Sequence, residues 1–244
     1  MHDVLSQRYT ESFYARPRYL QLFLLVSLHT FIKEGVDAAI LEAHPGAEYD
    51  STNVIEKPIV TAITPLGMDH VKQLGPSIEN IAWHKAGIFK PGAPAFSAVQ
   101  ETAASEVLRN RASDKGVNLR FVDDDPCLPV HLPQLRPDVQ RTNCSVALAV
   151  VRSFLDQKAP ENCFRLNPSD IQRGISQFFW LGRFQLVVEN NFQWFLDGAH
   201  NEMSVVKATE WFNEVSKMQT YGTVLRPLQL ALKTLSLARM RYEC

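Results

Sequence analysis

Three short runs constrain the fold of this chain more than any other feature. Pro58–Leu66 (PIVTAITPL), Pro94–Val99 (PAFSAV) and Leu119–Val122 (LRFV) are largely apolar and too short to be helices. A strand without polar alternation is buried on both faces, which is the condition of a strand in a helix-covered parallel sheet. Helical segments lie between them. Ser77–Phe89 opens on Ser77, a suitable N-cap, and Thr102–Ala112 follows. Upstream, Tyr14–Glu34 has an apolar face wide enough for a core helix and ends at Gly35. Val36–Glu42 then reads as a further buried strand. Strands alternating with helices indicate an α/β fold with a mainly parallel sheet.

Beyond Val122 the pattern changes. Asp123–Pro137 is rich in proline and has no periodicity, so a loop is expected. Asp138–Phe154 is a long helix, and Ser169 opens another through Ile171 and Ile175. Phe184–Val188 and Trp194–Leu196 form a hairpin pair around Glu189-Asn190-Asn191, and Met203–Val215 is helical. In Ser216–Cys244, Leu228, Leu230, Leu232, Leu235 and Leu237 are expected to form a helix.

Charge and composition remove several functions. Lys plus Arg number 25 against 26 Asp plus Glu, a formal charge of −1, without the basic footprint of a nucleic-acid binder. The four cysteines, at 127, 144, 163 and 244, show neither CxxC nor zinc-ligand spacing, as in a reduced compartment. Met1–Arg18 is polar, unlike a secretory signal, and Asp3 and Glu11 make it a poor mitochondrial presequence. Tyr19–Ile32, the longest apolar stretch, falls short of the ~20 residues that span a bilayer. No membrane is expected as a partner.

In open α/β sheets, ligands bind beyond the carboxyl ends of the strands. Glu42 and Gly67-Met68-Asp69-His70 stand there. A carboxylate and an imidazole converging at one edge suit a Mg²⁺ completed by water or phosphate; a helix cap and a polar turn residue are the ordinary alternative. Lys85 shares a mostly apolar helix face with Ala82 and Phe89, where an ammonium must be paired, altered or carried out to solvent. Gly87 in the same run points to close approach of another backbone or a ligand. Asp197-Gly198-Ala199-His200-Asn201 is a strand-to-helix turn able to hold a polar ligand, and Arg183 lies between the two halves of the chain.

Taken together, these stretches resemble the folylpolyglutamate synthases of the Mur ligase superfamily, most nearly their eukaryotic branch. The matching segments are Asp50-Ser51-Thr52-Asn53-Val54, Gly67-Met68-Asp69-His70 with Leu74-Gly75, and Ile81–Lys90 (IAWHKAGIFK). Gln140-Arg141-Thr142-Asn143, Gly182-Arg183-Phe184-Gln185 and Leu196–Asn201 (LDGAHN) follow in the family's order, so the resemblance runs from about Pro17 to about Phe212. It implies a P-loop-type parallel-sheet domain over residues 1–181, incomplete because it lacks its phosphate loop. Residues 182–244 would be the start of a Rossmann-like C-terminal domain. The implied activity is ATP-dependent addition of L-glutamate to a folate through an acyl phosphate. Glu42 and His70 match Mg²⁺-ligating positions. Lys85 matches a lysine that is carbamylated in several members, and is grouped with His200 as catalytic. Asn143, Arg183 and Asp197 match nucleotide-contacting positions. A monomer in the cytoplasm is expected, with mitochondria the family's other compartment.

Some features depart from the family. Its phosphate loop ends in Gly-Lys-Gly-Ser or similar, yet the dipeptide Gly-Lys occurs nowhere in this sequence. Ala47 replaces a glycine after Glu42, Leu181 stands where proline is usual, and Ser216–Cys244 lacks the family's strand pattern. The expectation is a chain inactive by itself. A non-catalytic fragment and a dihydrofolate synthase-type ligase remain as alternatives. Three placements are expected: Glu42 beside His70 at one sheet edge, Lys85 facing that edge, and Arg183 and Asp197 facing one cleft with Asn143.

Overall fold

A computed structural model describes residues 17–159, 166–190 and 192–218, together with the backbone of 230–232 and 235–241. Its first half is a three-stranded parallel sheet in the order β1 (Thr61–Ile63), β2 (Ala95–Ala98), β3 (Leu119–Val122). Thr61 pairs with Ala95 and Ala95 with Leu119, so the three strands start level. Helices α2 (Val71–Leu74) and α3 (Ile78–Lys85) connect β1 to β2, and α4 (Thr102–Asp114) connects β2 to β3. Ser77 caps α3 through its side chain, as its position suggested. All four residues of β2 are buried, because α3 and α4 on one side and the long α5 (Asp138–Lys158) leave it no open face. The core is built from Ile63, Ala82, Phe89, Ala95, Ala104 and Leu108, with Phe89 and Leu108 fully buried. Gln100 ties the end of β1 to that of β2, accepting from Leu66 N–H at 2.8 Å and donating to Thr64 O at 3.0 Å.

The proline-rich segment is a loop that is not loose. Leu128 and Leu135 pack with Ile171 and Ile175 of α6 (Pro168–Ser176) into a second apolar cluster, with Leu148 of α5 against it. The second half begins as the expected hairpin, β4 (Gln185–Glu189) antiparallel to β5 (Phe192–Asp197). It packs on α7 (Glu202–Met218), where Phe195 meets Trp211 and Phe212 edge-on at 5.3 and 4.9 Å between ring centres. Among the described residues, no helix is long and apolar enough to cross a membrane.

Three expectations are corrected. Val36–Glu42 is not a buried strand: it has no ladder partner, and Ile40 is 96% exposed. An apolar run becomes a strand only where a neighbour takes its backbone groups, and β1 borders only β2. α1 (Tyr19–Glu34) forms as a helix but is not a core helix. Of its apolar residues only Leu24 is buried, because the turn at Ser51–Val54 covers a small part of it. The described part of the leucine-rich run after residue 227 is strand rather than helix: β6 (Leu230–Leu232) and β7 (Leu235–Arg241) extend the second sheet, β7 pairing antiparallel with β5. The rest of that stretch lies outside the described residues.

Gly87 is the most closely approached glycine of the first half. A Cβ there would stand 2.3 Å from the Glu48 Cα and 2.4 Å from its N, both backbone atoms. Gly174, inside α6, has open space around it. Gly87→Ala is therefore expected to lower stability by about 1–3 kcal/mol through overpacking. Gly174→Ala is expected to raise it by about 0.5–1 kcal/mol through helix propensity. Urea unfolding midpoints of the two variants check the pair.

Candidate functional site

The candidate site starts from the loop after Glu42. His44 N–H donates to Asp50 Oδ2 at 3.2 Å, while Asp50 Oδ1 accepts from Thr52 N–H at 2.8 Å and its hydroxyl at 2.6 Å. Asp and Thr at this spacing close a turn on themselves. The loop is then seated on α3: the N–H groups of Ala47 and Glu48 both donate to His84 O, at 3.2 and 2.9 Å. Asn53 spans the seam, donating to Glu48 O at 3.1 Å and Gly87 O at 3.3 Å. The Glu48 carboxylate pairs with Arg111 and lies 3.5 Å from Lys115 Nζ, and Arg111 stacks over Trp83 at 4.3 Å. Gly46, at φ 70, takes the left-handed position of this loop, so Ala47 sits buried without strain.

Seating the loop surrounds Lys85. Its Nζ lies 3.5 Å from His44 O. Burial pushes the amine below the ordinary lysine value, while the charges of Asp50, Glu42 and Asp69 pull it back up without cancelling the effect. Asp50, Glu42 and Asp69 are thus the acidic charges that act on Lys85. Glu42 itself is exposed and follows extended chain rather than a strand.

The second arm follows β1. His70 occupies the left-handed region at φ 50, unusual for a residue with a side chain and costing about 1 kcal/mol. Asp69 holds it there, its Oδ1 accepting from His70 N–H at 2.7 Å. Asp69 Oδ2 accepts from Asn201 Nδ2 at 2.9 Å and faces His200 Nε2 at 3.3 Å. Burial alone would raise the Asp69 carboxyl, but the Asn201 and His70 hydrogen bonds and the nearby histidine charges outweigh it and hold it below the usual carboxylate value. One side chain therefore joins the loop after β1 of the first sheet to the DGAHN loop of the second.

On the second sheet, Asp197 is buried and its Oδ2 accepts from Phe184 N–H at 2.8 Å. The Arg183 guanidinium lies over Gly198, where a Cβ would stand 2.2 Å from Nη1. His200 Nδ1 is 2.9 Å from Gly198 O. Arg183, Asp197 and His200 are therefore neighbours. Asn143 lies on α5 with its Oδ1 buried and unpartnered, and no hydrogen bond among the described residues links it to the other three.

Asp69 is thus bonded to His70 and Asn201 and paired with His200, and its charge acts with those of Asp50 and Glu42 on Lys85. Residue-type reasoning gave no role to Asp50 or Glu48, and gave Asn201 only a place in a ligand-holding turn. The available signals were the Asp-x-Thr turn and an Asn directly before a helix. Among the described residues, no three His, Cys, Asp or Glu side chains form a metal cage. Exposed Glu42 and half-exposed His70 do fit a Mg²⁺ that takes most of its ligands from water and phosphate.

Two measurements test the Lys85 environment. In CO₂-free buffer, the ¹³C-dimethylated Lys85 resonance is expected to titrate below those of exposed lysines, and lower still in Glu42→Gln, which removes one attracting charge. The sign for stability follows: the unfolded chain binds the proton more tightly, so stability rises with pH between the folded value and the ordinary ~10.4. Lys85→Met is expected to be more stable than wild type near neutral pH, and the gap in denaturation midpoint should close as pH approaches 10.

No protein-family model matches the chain. Curated proteins do. A folylpolyglutamate synthase of Neurospora crassa is 42% identical over 205 residues, covering 82% of this chain and 38% of the relative. A probable folylpolyglutamate synthase of Schizosaccharomyces pombe is 39% identical, covering 84% and 41%. A mitochondrial folylpolyglutamate synthase of Cricetulus griseus is 33% identical, covering 87% and 40%. The chain thus spans about two fifths of the length of these relatives. Among solved structures, an FPGS–AMPPCP complex superposes with a TM-score of 0.76 at 22% identity, over 93% of this chain and 57% of that one. The apo form of L. casei FPGS gives 0.74 at 23%, over 88% and 55%. Over most of its length the chain is similar to folylpolyglutamate synthases, and it has the mixed α/β fold of their solved structures.

Proposed function

We propose that these residues form the metal-side and nucleotide-side section of an ATP-dependent ligase that joins L-glutamate to a folate. The observation that carries this reading is Lys85 held against the His44 carbonyl by the loop seated on α3, with the Asp69–Asn201 bond joining the loop after β1 to the DGAHN loop. Its support from comparison is that related solved structures are complexes with AMPPCP and with AMPPCP and folate. In this reading Glu42 and His70 hold Mg²⁺, whose chemistry is to neutralise charge on a phosphoryl group moving to the folate carboxylate. A desolvated lysine with a lowered proton affinity keeps more neutral amine, the form that adds CO₂. As a carbamate, Lys85 offers oxygens where it would otherwise offer a cation. Arg183 supplies a charge-assisted clamp for phosphate, Asp197 fixes the strand end from which the nucleotide loop departs, and Asn143 brings a buried acceptor that a ligand donor satisfies. His200 stands beside Asp69 at the junction of the two loops.

The sequence also favours a second reading for the isolated polypeptide. Its 244 residues contain no Gly-Lys, the dipeptide on which the family's phosphate loop ends. The charge-assisted donors of such a loop are commonly worth ~10²–10³ in rate each. Purified as these 244 residues, the chain is expected to bind Mg-ATP weakly and to form no glutamylated folate from labelled glutamate and a reduced folate. Product formation that disappears on His70→Ala would contradict this. The ligase reading has its own test, a chimera in which residues 17–212 replace the matching part of the Neurospora crassa enzyme. Ligation is expected to persist and to fall at least about a hundredfold on Lys85→Met or His70→Ala. A soluble chimera that binds ATP but forms no product would overturn the reading.

A further inference from the structure

We propose that Asn201 is a positioning residue for the loop that carries His70, so that docking of the second sheet sets the geometry of the first sheet's ligand-side loop. Both ends of its amide are used. Asn201 Oδ1 accepts from Ser204 N–H at 2.9 Å, closing the first turn of α7, while Nδ2 donates to Asp69 Oδ2 at 2.9 Å. Asp69 passes the constraint on through Oδ1, 2.7 Å from His70 N. His70 is then held at φ 50, ψ 32, and its carbonyl accepts from the N–H groups of Gln73 and Leu74, both at 2.9 Å. A residue with a side chain keeps a left-handed conformation only where its surroundings hold it. Met203 adds an apolar contact at the same place: a Cβ on Gly67 would stand 2.8 Å from its Sδ and Cε.

The chemistry selects asparagine at 201. The position needs an oxygen toward Ser204 and an N–H toward a carboxylate. Aspartate keeps the capping oxygen but loses the donor and sets two carboxylates against each other, and serine has one oxygen for the cap and no separate N–H arm for Asp69. The His200 contact to Asp69 is half exposed and contributes little by itself. That His70 belongs to the metal side rests on the proposed function; the linkage from Asn201 to His70 does not.

Hydrogen–deuterium exchange of the full chain tests the linkage without any ligand. In Asn201→Ser and Asn201→Asp, amides of residues 68–72 are expected to exchange about tenfold faster, the effect of losing one hydrogen bond to a charged group, while residues 202–206 keep their protection. The exchanged pair Asp69→Asn with Asn201→Asp rebuilds the bridge in reverse. The amide now at position 69 donates to the carboxylate now at position 201 and still accepts from His70 N–H, while that carboxylate still caps α7. Protection of 68–72 is expected to return to within about twofold of wild type, since each tenfold in exchange is about 1.4 kcal/mol. Unchanged exchange at 68–72 in both single variants would overturn the proposal. So would a rise that spreads across α7, or a double variant no better protected than Asn201→Asp.

Discussion

The loop that carries Glu42, His44 and Asp50 belongs to no helix or strand, and what fixes it is the contact between the Glu48 backbone and Gly87. At that point two chain segments approach more closely than any side chain at residue 87 allows. Two N–H groups of the loop then reach the last turn of α3, and Asn53 closes the seam from below. Because Lys85 lies two residues before Gly87, the contact that seats the loop also brings its acids to the Lys85 amine. The ion pair of Glu48 with Arg111, backed by the Trp83 ring, holds the loop from its outer side. The electrostatics of the candidate site are thus a consequence of packing.

Asp69 extends this arrangement across the molecule. It serves the strained turn at His70, the DGAHN loop and the field at Lys85. A short carboxylate in the loop after β1 meets all three because that loop runs beside the start of α7, where Met203 lies against Gly67. The residues matched to nucleotide contacts are neighbours on the second sheet, with Asn143 separate on α5.

Much of this was readable in the sequence, for identifiable reasons. β1, β2 and β3 lie within their expected runs, because uninterrupted apolar stretches between turn residues leave few other structures, while β4 and β5 overlap theirs and pair further toward the turn. Gly87 in a helical run announced a close backbone approach, and Glu48 provides it. Val36–Glu42 misled because apolar, β-prone composition says nothing about whether a partner strand exists. The C-terminal stretch misled in the opposite way: Leu228, Leu230 and Leu232, then Leu235 and Leu237, recur at every second position, the strand period. Lys85 stood out as a charge on an apolar face. Asp50 did not, and Asn201 was legible only as part of a ligand-holding turn, because its bond to Asp69 joins residues that only the fold brings near.

The central claim is that seating the 42–54 loop on Gly87 creates the acid-lined setting of Lys85. A crystal structure of the chain tests it most directly. The account predicts that Lys85 Nζ lies against His44 O, with Asp50, Glu42 and Asp69 around it and the Glu48 backbone packed on Gly87. A Lys85 side chain turned to solvent while the loop remains seated on Gly87 would contradict it.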